Sequence, residues 1–269
     1  MAKPLVMIIK EHGTNCEHES KFAFEEAGAS ADIVHMKDWI ADPKRIHQYQ
    51  IAMFPGGFSY GDDTGSAYAW ASRIKNNLHD DMLKFAENKD KLILGICNGF
   101  QLLVNFGLLP GLDGKYDVTT AALMHNDFPR YQCRWVDLKI KSHSPWLKDM
   151  NSLMVPIAHG EGKFYSEEST LNQIKEKNLV AARYVRGTIC EHQDLPANPN
   201  GSIEDIAAVA DESGRILGMM PHPERAIKFT QLPHWTYTKS LMRSTGKKIP
   251  EEGPGMQVFR NAVNYFKEG

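Results

Sequence analysis

Residues 91–103 of the chain read Lys91-Leu92-Ile93-Leu94-Gly95-Ile96-Cys97-Asn98-Gly99-Phe100-Gln101-Leu102-Leu103. An apolar run of strand length ends at Ile96, and a second run with helical spacing begins after the Asn98-Gly99 pair. This order predicts a buried strand, an abrupt turn at Cys97 and then a helix. Hydrolases of the α/β class place their nucleophile at such a turn, so the stretch predicts both a layered fold and a reactive position.

The rest of the first half repeats this pattern of strand and helix. Short apolar runs lie at residues 5–9, 31–36, 51–54 and 92–96, and helical stretches lie at 17–27, 66–88 and 98–107. Continuous apolar strands that alternate with helices are typical of parallel sheets covered on both faces. We therefore predict an α/β fold with a mostly parallel open sheet and helices on both faces.

The second half of the chain has a different pattern. Alternating segments lie near residues 134–141, 153–158, 179–185 and 205–210, so we expect additional antiparallel strands that extend the main sheet or cover one edge. No strong linker divides the chain. We predict a single domain over residues 1–269, in which 228–269 form a C-terminal extension that ends in a helix at 256–266. For residues 228–255 we expect either a cover that faces a partner or a simple surface wrap.

Composition excludes several classes of protein. The chain has 269 residues, with 31 Lys and Arg against 33 Asp and Glu, and a formal net charge of −2. Broad nucleic-acid binding needs a clustered excess of cations, so no nucleic-acid partner is expected. No apolar run approaches the roughly 20 residues that span a bilayer, and the N-terminus lacks a secretory apolar region. We therefore expect no membrane association and a cytoplasmic location.

The cysteines predict no metal site. Cys16, Cys97, Cys133 and Cys190 show no CxxC pairing, which argues against a disulfide framework and against structural zinc. Cys16 and Cys190 are each followed two residues later by a histidine, in Cys16-Glu17-His18 and Cys190-Glu191-His192. A zinc site normally needs three or four ligands, and these fragments have no matching partners nearby. We expect neither a metal nor an organic cofactor in this chain.

Cys97 is the first candidate for a catalytic residue. A helix that begins immediately after the turn favours the thiolate, which is the attacking form of cysteine. The backbone N–H of Asn98 would donate to an oxyanion that develops beside the sulfur. The alternative is that Cys97 is a small buried apolar residue, the commonest role of a free cysteine.

A general base for such a nucleophile is found in the stretch Met219-Met220-Pro221-His222-Pro223-Glu224-Arg225. Alternate side chains of an extended segment point to the same side, so Glu224 can orient His222. Proline on both sides of the histidine favours that extended geometry. The alternative is a loop histidine beside a solvated Glu-Arg pair.

Two glycine-containing turns complete the candidate site. Gly56 and Gly57 lie in the loop at residues 54–62, which follows a strand and lets backbone N–H groups approach a ligand. This loop matches neither the GxGxxG nor the Walker pattern, which argues against nucleotide binding. The turn His159-Gly160-Glu161-Gly162 also follows an apolar strand, and a tight hairpin is an equally good interpretation of it.

Taken together, Gly95-Ile96-Cys97-Asn98-Gly99-Phe100-Gln101 and His222-Pro223-Glu224 resemble the nucleophile motif and the His-x-Glu motif of class I glutamine amidotransferases, which have a flavodoxin-like fold. Further stretches, in the expected order over residues 5–225, resemble the glutaminase part of phosphoribosylformylglycinamidine synthases. They are Gly13-Thr14-Asn15-Cys16-Glu17, residues 55–62, Ala158-His159-Gly160-Glu161-Gly162, Asn198-Pro199-Asn200-Gly201-Ser202 and residues 219–225. The cysteine motif alone would fit any member of the class, whereas the joint match is highly specific.

The resemblance implies roles for individual residues. Cys97 would attack glutamine and form a glutamyl thioester, His222 would move protons, and Glu224 would orient His222 and stabilise its charge. Other residues would form the oxyanion hole or hold the glutamine. These are Gly56, Gly57, Asn98, Gln101, His159, Gly160, Glu161 and Gly162.

The resemblance also implies a reaction and partners. The chain would hydrolyse L-glutamine to glutamate and ammonia, and the ammonia would pass to an ATP-dependent synthetase partner, with or without a small accessory subunit. That partner would bind ATP and Mg and convert formylglycinamide ribonucleotide to formylglycinamidine ribonucleotide in purine biosynthesis. Residues 63–71 and 252–262 look more like the C-terminal domain of the single-chain form of this enzyme. Because the chain begins at a methionine and carries no synthetase domain, we expect a free-standing glutaminase subunit.

Three alternatives stay open at this point. The chain could be the glutaminase of another amidotransferase complex, or a non-catalytic regulatory subunit that senses glutamine. It could also be a redox or glyoxalase-like relative on the same fold. The presence of Cys97, His222 and Glu224 together argues against pure binding, which needs no nucleophile.

Overall fold

The computed structural model describes residues 3–267, apart from the side chains of His192 and Gln193. Within these residues it contains eleven strands: β1 (Leu5–Lys10), β2 (Ser30–His35), β3 (Ile51–Phe54), β4 (Leu92–Ile96), β5 (Ala121–Met124), β6 (Gln132–Ile140), β7 (Ser152–His159), β8 (Lys163–Ser166), β9 (Val180–Val185), β10 (Ile206–Ala210) and β11 (Ile216–Met219). The α-helices of this part of the chain are α1 (Glu17–Ala27), α2 (Met36–Ala41), α3 (Tyr68–Glu87), α4 (Asn98–Phe106), α5 (Glu168–Glu176), α6 (Thr188–Gln193), α7 (Trp235–Ser244) and α8 (Met256–Tyr265).

Nine strands form one sheet in the order β2-β1-β3-β4-β11-β10-β9-β6-β7. The first five strands in this order, β2 to β11, are parallel to one another, and every pairing from β11–β10 onward is antiparallel. Strands β5 and β8 pair separately as a small antiparallel sheet. The α/β class and the parallel core of the sheet are therefore confirmed, and the antiparallel strands extend the main sheet.

The order of the strands also indicates where a ligand binds. The chain passes from β1 outward to β2 in one direction, and from β3 to β4 in the opposite direction. Since both crossovers are right-handed, they place α1 and α3 on opposite faces. Open α/β sheets bind ligands where the order reverses, beyond the carboxyl ends of the strands. Here that point lies between β1 and β3, beside the end of β4.

The parallel centre of the sheet is buried on both faces. Strands β3, β4 and β11 have no exposed residue, as expected of continuous apolar runs under two layers of helices. Helices α1 and α8 contact each other, and so do α3 and α4. Among the described helices, none is long and apolar enough to cross a bilayer.

Some local predictions were wrong or incomplete. Met36 was predicted to end a strand, but β2 ends at His35, whose Nδ1 accepts a hydrogen bond from Lys37 N and caps α2. The helix predicted over 256–266 is α8 and ends one residue earlier. Helix α7 within residues 228–255 was not predicted, and none of its residues is buried.

Candidate active site

Cys97 lies at the turn between β4 and α4, at the carboxyl edge of the sheet. Its φ of 52° and ψ of −107° are rare for a residue other than glycine, which marks a strained turn. The turn depends on its glycines, because a Cβ on Gly99 would lie 1.9 Å from Phe54 O and one on Gly95 would lie 2.6 Å from Gly99 O. The Cys97 side chain is buried, and Sγ lies 3.6 Å from the carbonyl oxygen of Ala158.

His222 follows β11, the strand beside β4, and so reaches the same edge of the sheet. Its Nδ1 lies 2.6 Å from Oε1 of Glu224, and both side chains are buried. Burial lowers the pKa of His222, but the charge of Glu224 and the neighbouring thiols of Cys16 and Cys97 outweigh it, so the pKa lies well above its ordinary value. Among the described residues Nε2 has no hydrogen-bond partner, which leaves it available for proton transfer.

Gly56 allows the two side chains to approach each other. A Cβ on Gly56 would lie 2.7 Å from Cε1 of His222 and 3.4 Å from Cβ of Cys97. Cys97, His222 and Gly57 line one cavity of about 20 Å³, which is room for about one water molecule. The structure thus brings Cys97, His222 and Glu224 together, although β4 and β11 are far apart in the sequence.

Two backbone donors beside Cys97 are unpaired. Neither Gly57 N nor Asn98 N donates to an acceptor among the described residues. Asn98 begins α4, where the first N–H groups have no partner within the helix. Gly57 has a φ of +149°, and a Cβ there would lie 2.5 Å from Thr14 Cα, so only glycine fits. Two free donors in this position suit an oxyanion hole.

The predicted turn at residues 159–162 lies at the end of β7. His159 is 2% exposed, and neither ring nitrogen has a partner among the described residues. Burial, together with the charge of His222, lowers the pKa of His159 to about 3, so the ring is neutral. A Cβ on Gly162 would lie 2.4 Å from Cε1 of His159, whereas one on Gly160 would meet nothing within 4 Å.

Side chains from neighbouring loops hold this turn. Asn126 accepts a hydrogen bond from Gly162 N at 3.0 Å and donates to His159 O at 3.1 Å. Asn200, in the loop that resembled the family, donates to Gly162 O at 2.8 Å. Gln101, one turn into α4 from Cys97, donates to Glu161 O at 2.5 Å. These bonds join the turn to the helix that follows the cysteine.

The Asn98 side chain connects the turn at Cys97 to the loop at residues 54–62, called the glycine loop below. It accepts a hydrogen bond from Ser59 N at 3.1 Å and donates to Asp62 Oδ1 at 3.3 Å and to Gln101 Oε1 at 2.9 Å. Burial, and then the charge of Glu161, raises the pKa of Asp62 to about 6. Asp62 was not predicted as a site residue, although it lies within the quoted loop.

Several further residues of the cavity were not predicted as site residues. Cys16, Tyr131 and Arg225 line it with Cys97. Cys16 Sγ lies 4.0 Å from Nδ1 of His222 and 3.1 Å from Nη2 of Arg225, and burial, the largest effect, raises the pKa of Cys16 to about 12. The sequence offered no signal for this role beyond the positions of Cys16 and Arg225 in stretches that resemble the family.

Ligand atoms of Cys16, Glu19, His222 and Glu224 lie within 4.8 Å of one another. These four side chains already have protein partners: Arg225 binds Glu19 and contacts Cys16, and Glu224 is bonded to His222. The absence of a metal stays a prediction. Cys190 is buried with Sγ 3.8 Å from Val185 O. The side chain of His192 lies outside the described residues.

Known proteins resemble this chain over nearly its whole length. Residues 3–266 match the model of the CobB/CobQ-like glutamine amidotransferase domain. The chain is 46% identical to phosphoribosylformylglycinamidine synthase subunit PurQ of Methanococcus maripaludis, with 98% of each chain covered. It is 34% identical to phosphoribosylformylglycinamidine synthase of Drosophila melanogaster, over 97% of this chain but only 19% of that protein.

Solved structures agree with these relatives. A chain in the structure of PurLQS from Thermotoga maritima has a TM-score of 0.70 and 28% identity, and the match covers 98% of this chain and 99% of that one. A glutamine amidotransferase from the same organism, at 13% identity and a TM-score of 0.53 with full coverage of both chains, shares the fold. The chain therefore belongs to the CobB/CobQ-like glutamine amidotransferase family, among the members named phosphoribosylformylglycinamidine synthase subunit PurQ.

Proposed function

We propose that the chain is the glutaminase subunit of phosphoribosylformylglycinamidine synthase and acts with an ATP-dependent synthetase. The observation that carries this proposal is the strained Cys97 turn that shares a cavity with His222, which is itself bonded to Glu224. The 46% identity to PurQ supports the choice of synthase, and the PurLQS relative supports assembly with a synthetase partner and a small accessory subunit. ATP and Mg would bind to the partner, and the complex would work in the cytoplasm.

The first half of the reaction forms a thioester. The Cys97 thiolate attacks the amide carbon of the L-glutamine side chain, and the carbonyl π electrons move to the oxygen. Gly57 N–H and Asn98 N–H stabilise this oxyanion. The carbon–nitrogen bond then breaks as the nitrogen takes a proton from His222, which releases ammonia and leaves a glutamyl thioester.

The second half restores the enzyme. His222 takes a proton from a water molecule that attacks the thioester carbon, and the carbon–sulfur bond breaks to give glutamate and the Cys97 thiolate. Glu224, bonded to Nδ1, fixes the orientation of the ring and stabilises its positive charge. Gln101 and the turn at residues 159–162 would hold the glutamine, because Gln101 lies one turn into α4 from Cys97 and donates a hydrogen bond to Glu161 O in that turn.

The test is ammonia release from glutamine by the purified chain, alone and with its synthetase, with Cys97→Ala as the control variant. We expect Cys97→Ala to abolish release, while the assembled complex still makes the amidine from added ammonium salt. If both activities disappear together, the proposed division between the two subunits is wrong. If glutamine binds but neither sample releases ammonia above the control, a regulatory subunit is the better interpretation.

A further inference from the structure

An ion pair between the buried Glu11 and the partly exposed Arg73 lies behind the glycine loop and has no part in the chemistry proposed above. Glu11 follows β1, and its side chain is fully buried; Oε2 accepts a hydrogen bond at 2.8 Å from Nη1 of Arg73, on α3. The same Nη1 donates to the hydroxyl of Tyr60 at 2.6 Å. A buried carboxylate is strongly destabilising unless it is paired, so this contact ties β1, α3 and the loop together.

Glu11 also fixes the turn that follows it. Its Oε1 accepts a hydrogen bond from His12 N at 2.8 Å. Its carbonyl oxygen accepts two hydrogen bonds from Thr14, from N at 3.1 Å and from Oγ1 at 2.9 Å. The carboxylate and the backbone of one residue therefore set the conformation of residues 11–14.

The turn at residues 11–14 also holds the glycine loop in place. Four backbone hydrogen bonds join residues 12–16 to residues 56–60, on both sides of Gly57. They run from Asn15 N and Cys16 N to Gly56 O at 3.3 and 3.2 Å, from Phe58 N to Gly13 O at 2.8 Å and from Tyr60 N to His12 O at 2.9 Å. Gly57 N–H lies between these bonded groups and has no acceptor among the described residues. Its position therefore follows that of the turn at residues 11–14.

The loop is strained where Arg73 contacts it. Tyr60 has a φ of 55°, and the neighbouring Gly61 and Asp62 also have positive φ values. An aromatic residue in this region persists only where its surroundings hold it. Arg73 provides a side-chain hydrogen bond to Tyr60, whose ring also packs edge-on against His12, and we expect that loss of this bond lets the loop relax and moves Gly57.

We propose that Glu11 and Arg73 are positioning residues that hold Gly57 N–H at the point where the oxyanion forms, a role that rests on the proposed glutaminase function. An oxyanion donor acts only within a few tenths of an ångström of its correct place. The pair therefore affects the transition state more than the binding of glutamine, which gives it a kinetic signature.

The experiment uses the assembled complex with its synthetase and compares Glu11→Gln, Arg73→Gln and Arg73→Lys. Removing an oxyanion donor outright lowers kcat by about 10²–10³, so a displaced donor should lower the glutaminase kcat by about 10- to 30-fold. The KM for glutamine should stay within about twofold. Arg73→Lys, which keeps the charge, should recover part of the loss.

A second measurement separates positioning from general damage. The aldehyde L-glutamate γ-semialdehyde reacts with the Cys97 thiolate; a carbon–sulfur bond forms and the carbonyl electrons move to an oxygen that occupies the oxyanion hole. Its affinity should fall by the same factor as kcat/KM in each variant. Glutamine affinity, measured with the same substitutions in a Cys97→Ala background, should not change.

Asp81→Asn is the matched control, because it removes the charge from a contact of the same helix α3, the pairing with His47 at 2.7 Å, away from the loop. It should leave both measurements unchanged. If Glu11→Gln and Arg73→Gln keep the wild-type kcat and aldehyde affinity, or if they weaken glutamine and aldehyde equally, the positioning role is overturned. A wild-type complex that releases no Cys97-dependent ammonia would instead overturn the proposed function.

Discussion

The two regions of the main sheet contribute to the site in different ways. In the parallel region, from β2 to β11, the loop or turn at the end of a strand directly supplies Gly56, Cys97 or His222. The antiparallel region, from β10 to β7, supplies the turn at residues 159–162 and two residues that line the cavity, Tyr131 beside β6 and Ala158 in β7. Side chains from other loops, Asn126 and Asn200 among them, must hold that turn. In the parallel region the strand order places Cys97 and His222 at one edge of the sheet, whereas the turn at residues 159–162 depends on a polar network.

The largest effect should come from His222→Ala in the parallel region. Members of a triad act as a unit, so we expect the glutaminase kcat to fall by about 10⁴-fold. Activity with added ammonium salt should not change, since that site lies on the partner, and this serves as the control for folding and assembly. A glutaminase rate equal to that of the wild type would remove His222 from the mechanism.

Glu224→Gln should change the pH dependence of the glutaminase rate. The Glu224 charge helps to raise the pKa of His222, so the variant should lower that pKa. The protonated ring then disappears at a lower pH, and the alkaline limb of the profile of kcat against pH should move to lower pH. An unmoved limb would show that another group titrates there.

The contrast between local patterns and contacts made by distant segments explains how much of the fold and of the site could be predicted from the sequence. Continuous apolar runs and the Cys97 turn are local patterns, so the parallel strands β1 to β4 and the helix after Cys97 were predicted within a few residues, whereas the fifth parallel strand, β11, was not predicted. The proximity of His222 to Cys97 was expected from chemistry and resemblance, because no local pattern shows that β11 pairs with β4. Catalytic roles stay predictions, since the structure shows positions and not turnover.

What the sequence could not show depends on contacts between distant segments. Cys16 and Arg225 reach the cavity because α1 and the turn after β11 lie side by side, and neither residue has a chemical pattern of its own. Helix α7 has no buried residue, so packing against the core of this chain does not fix its position. Glu11 and Arg73 form one contact across 62 positions of sequence.

Substitution of one glycine in each region, Gly56 in the parallel and Gly160 in the antiparallel region, tests how tightly each region constrains the site. A Cβ on Gly56 would lie 2.7 Å from Cε1 of His222, whereas one on Gly160 would meet nothing within 4 Å, and neither residue has a positive φ. Gly56→Ala should therefore displace the His222 ring and lower kcat by about 100-fold, as expected of a misplacement of about 1 Å. Gly160→Ala should stay within about twofold of the wild type.

Both variants should be measured for kcat per active site and for melting temperature. Overpacking at Gly56 should also lower the stability by about 1–3 kcal/mol. If Gly160→Ala proves the more damaging of the two, the turn at residues 159–162 is more tightly constrained than the loop beside Cys97 and His222, and the contrast between the regions is reversed.

The smallest expected effect concerns Asp62, which faces Glu161 across the boundary between the two regions. Burial and the charge of Glu161 raise its pKa to about 6 in the folded chain, above the value of about 3.9 expected when unfolded. The fold therefore favours the protonated carboxyl, and stability is lost as the pH rises from about 4 through 6. Asp62→Asn cannot ionise, so it should be more stable than the wild type at pH 8 and about equally stable at pH 4.

Asparagine suits this position, because it tolerates the φ of 56° and its Oδ1 can still accept from Asn98. A shift of two pKa units corresponds to about 3 kcal/mol at most, and solvent screening of this half-exposed group reduces it to about 1 kcal/mol, or about 2–4 °C in melting temperature. An equal gain at both pH values would contradict the ionisation penalty. Glu161→Gln removes the opposing charge, so Asp62→Asn should gain less in that background if the repulsion crosses the boundary between the regions.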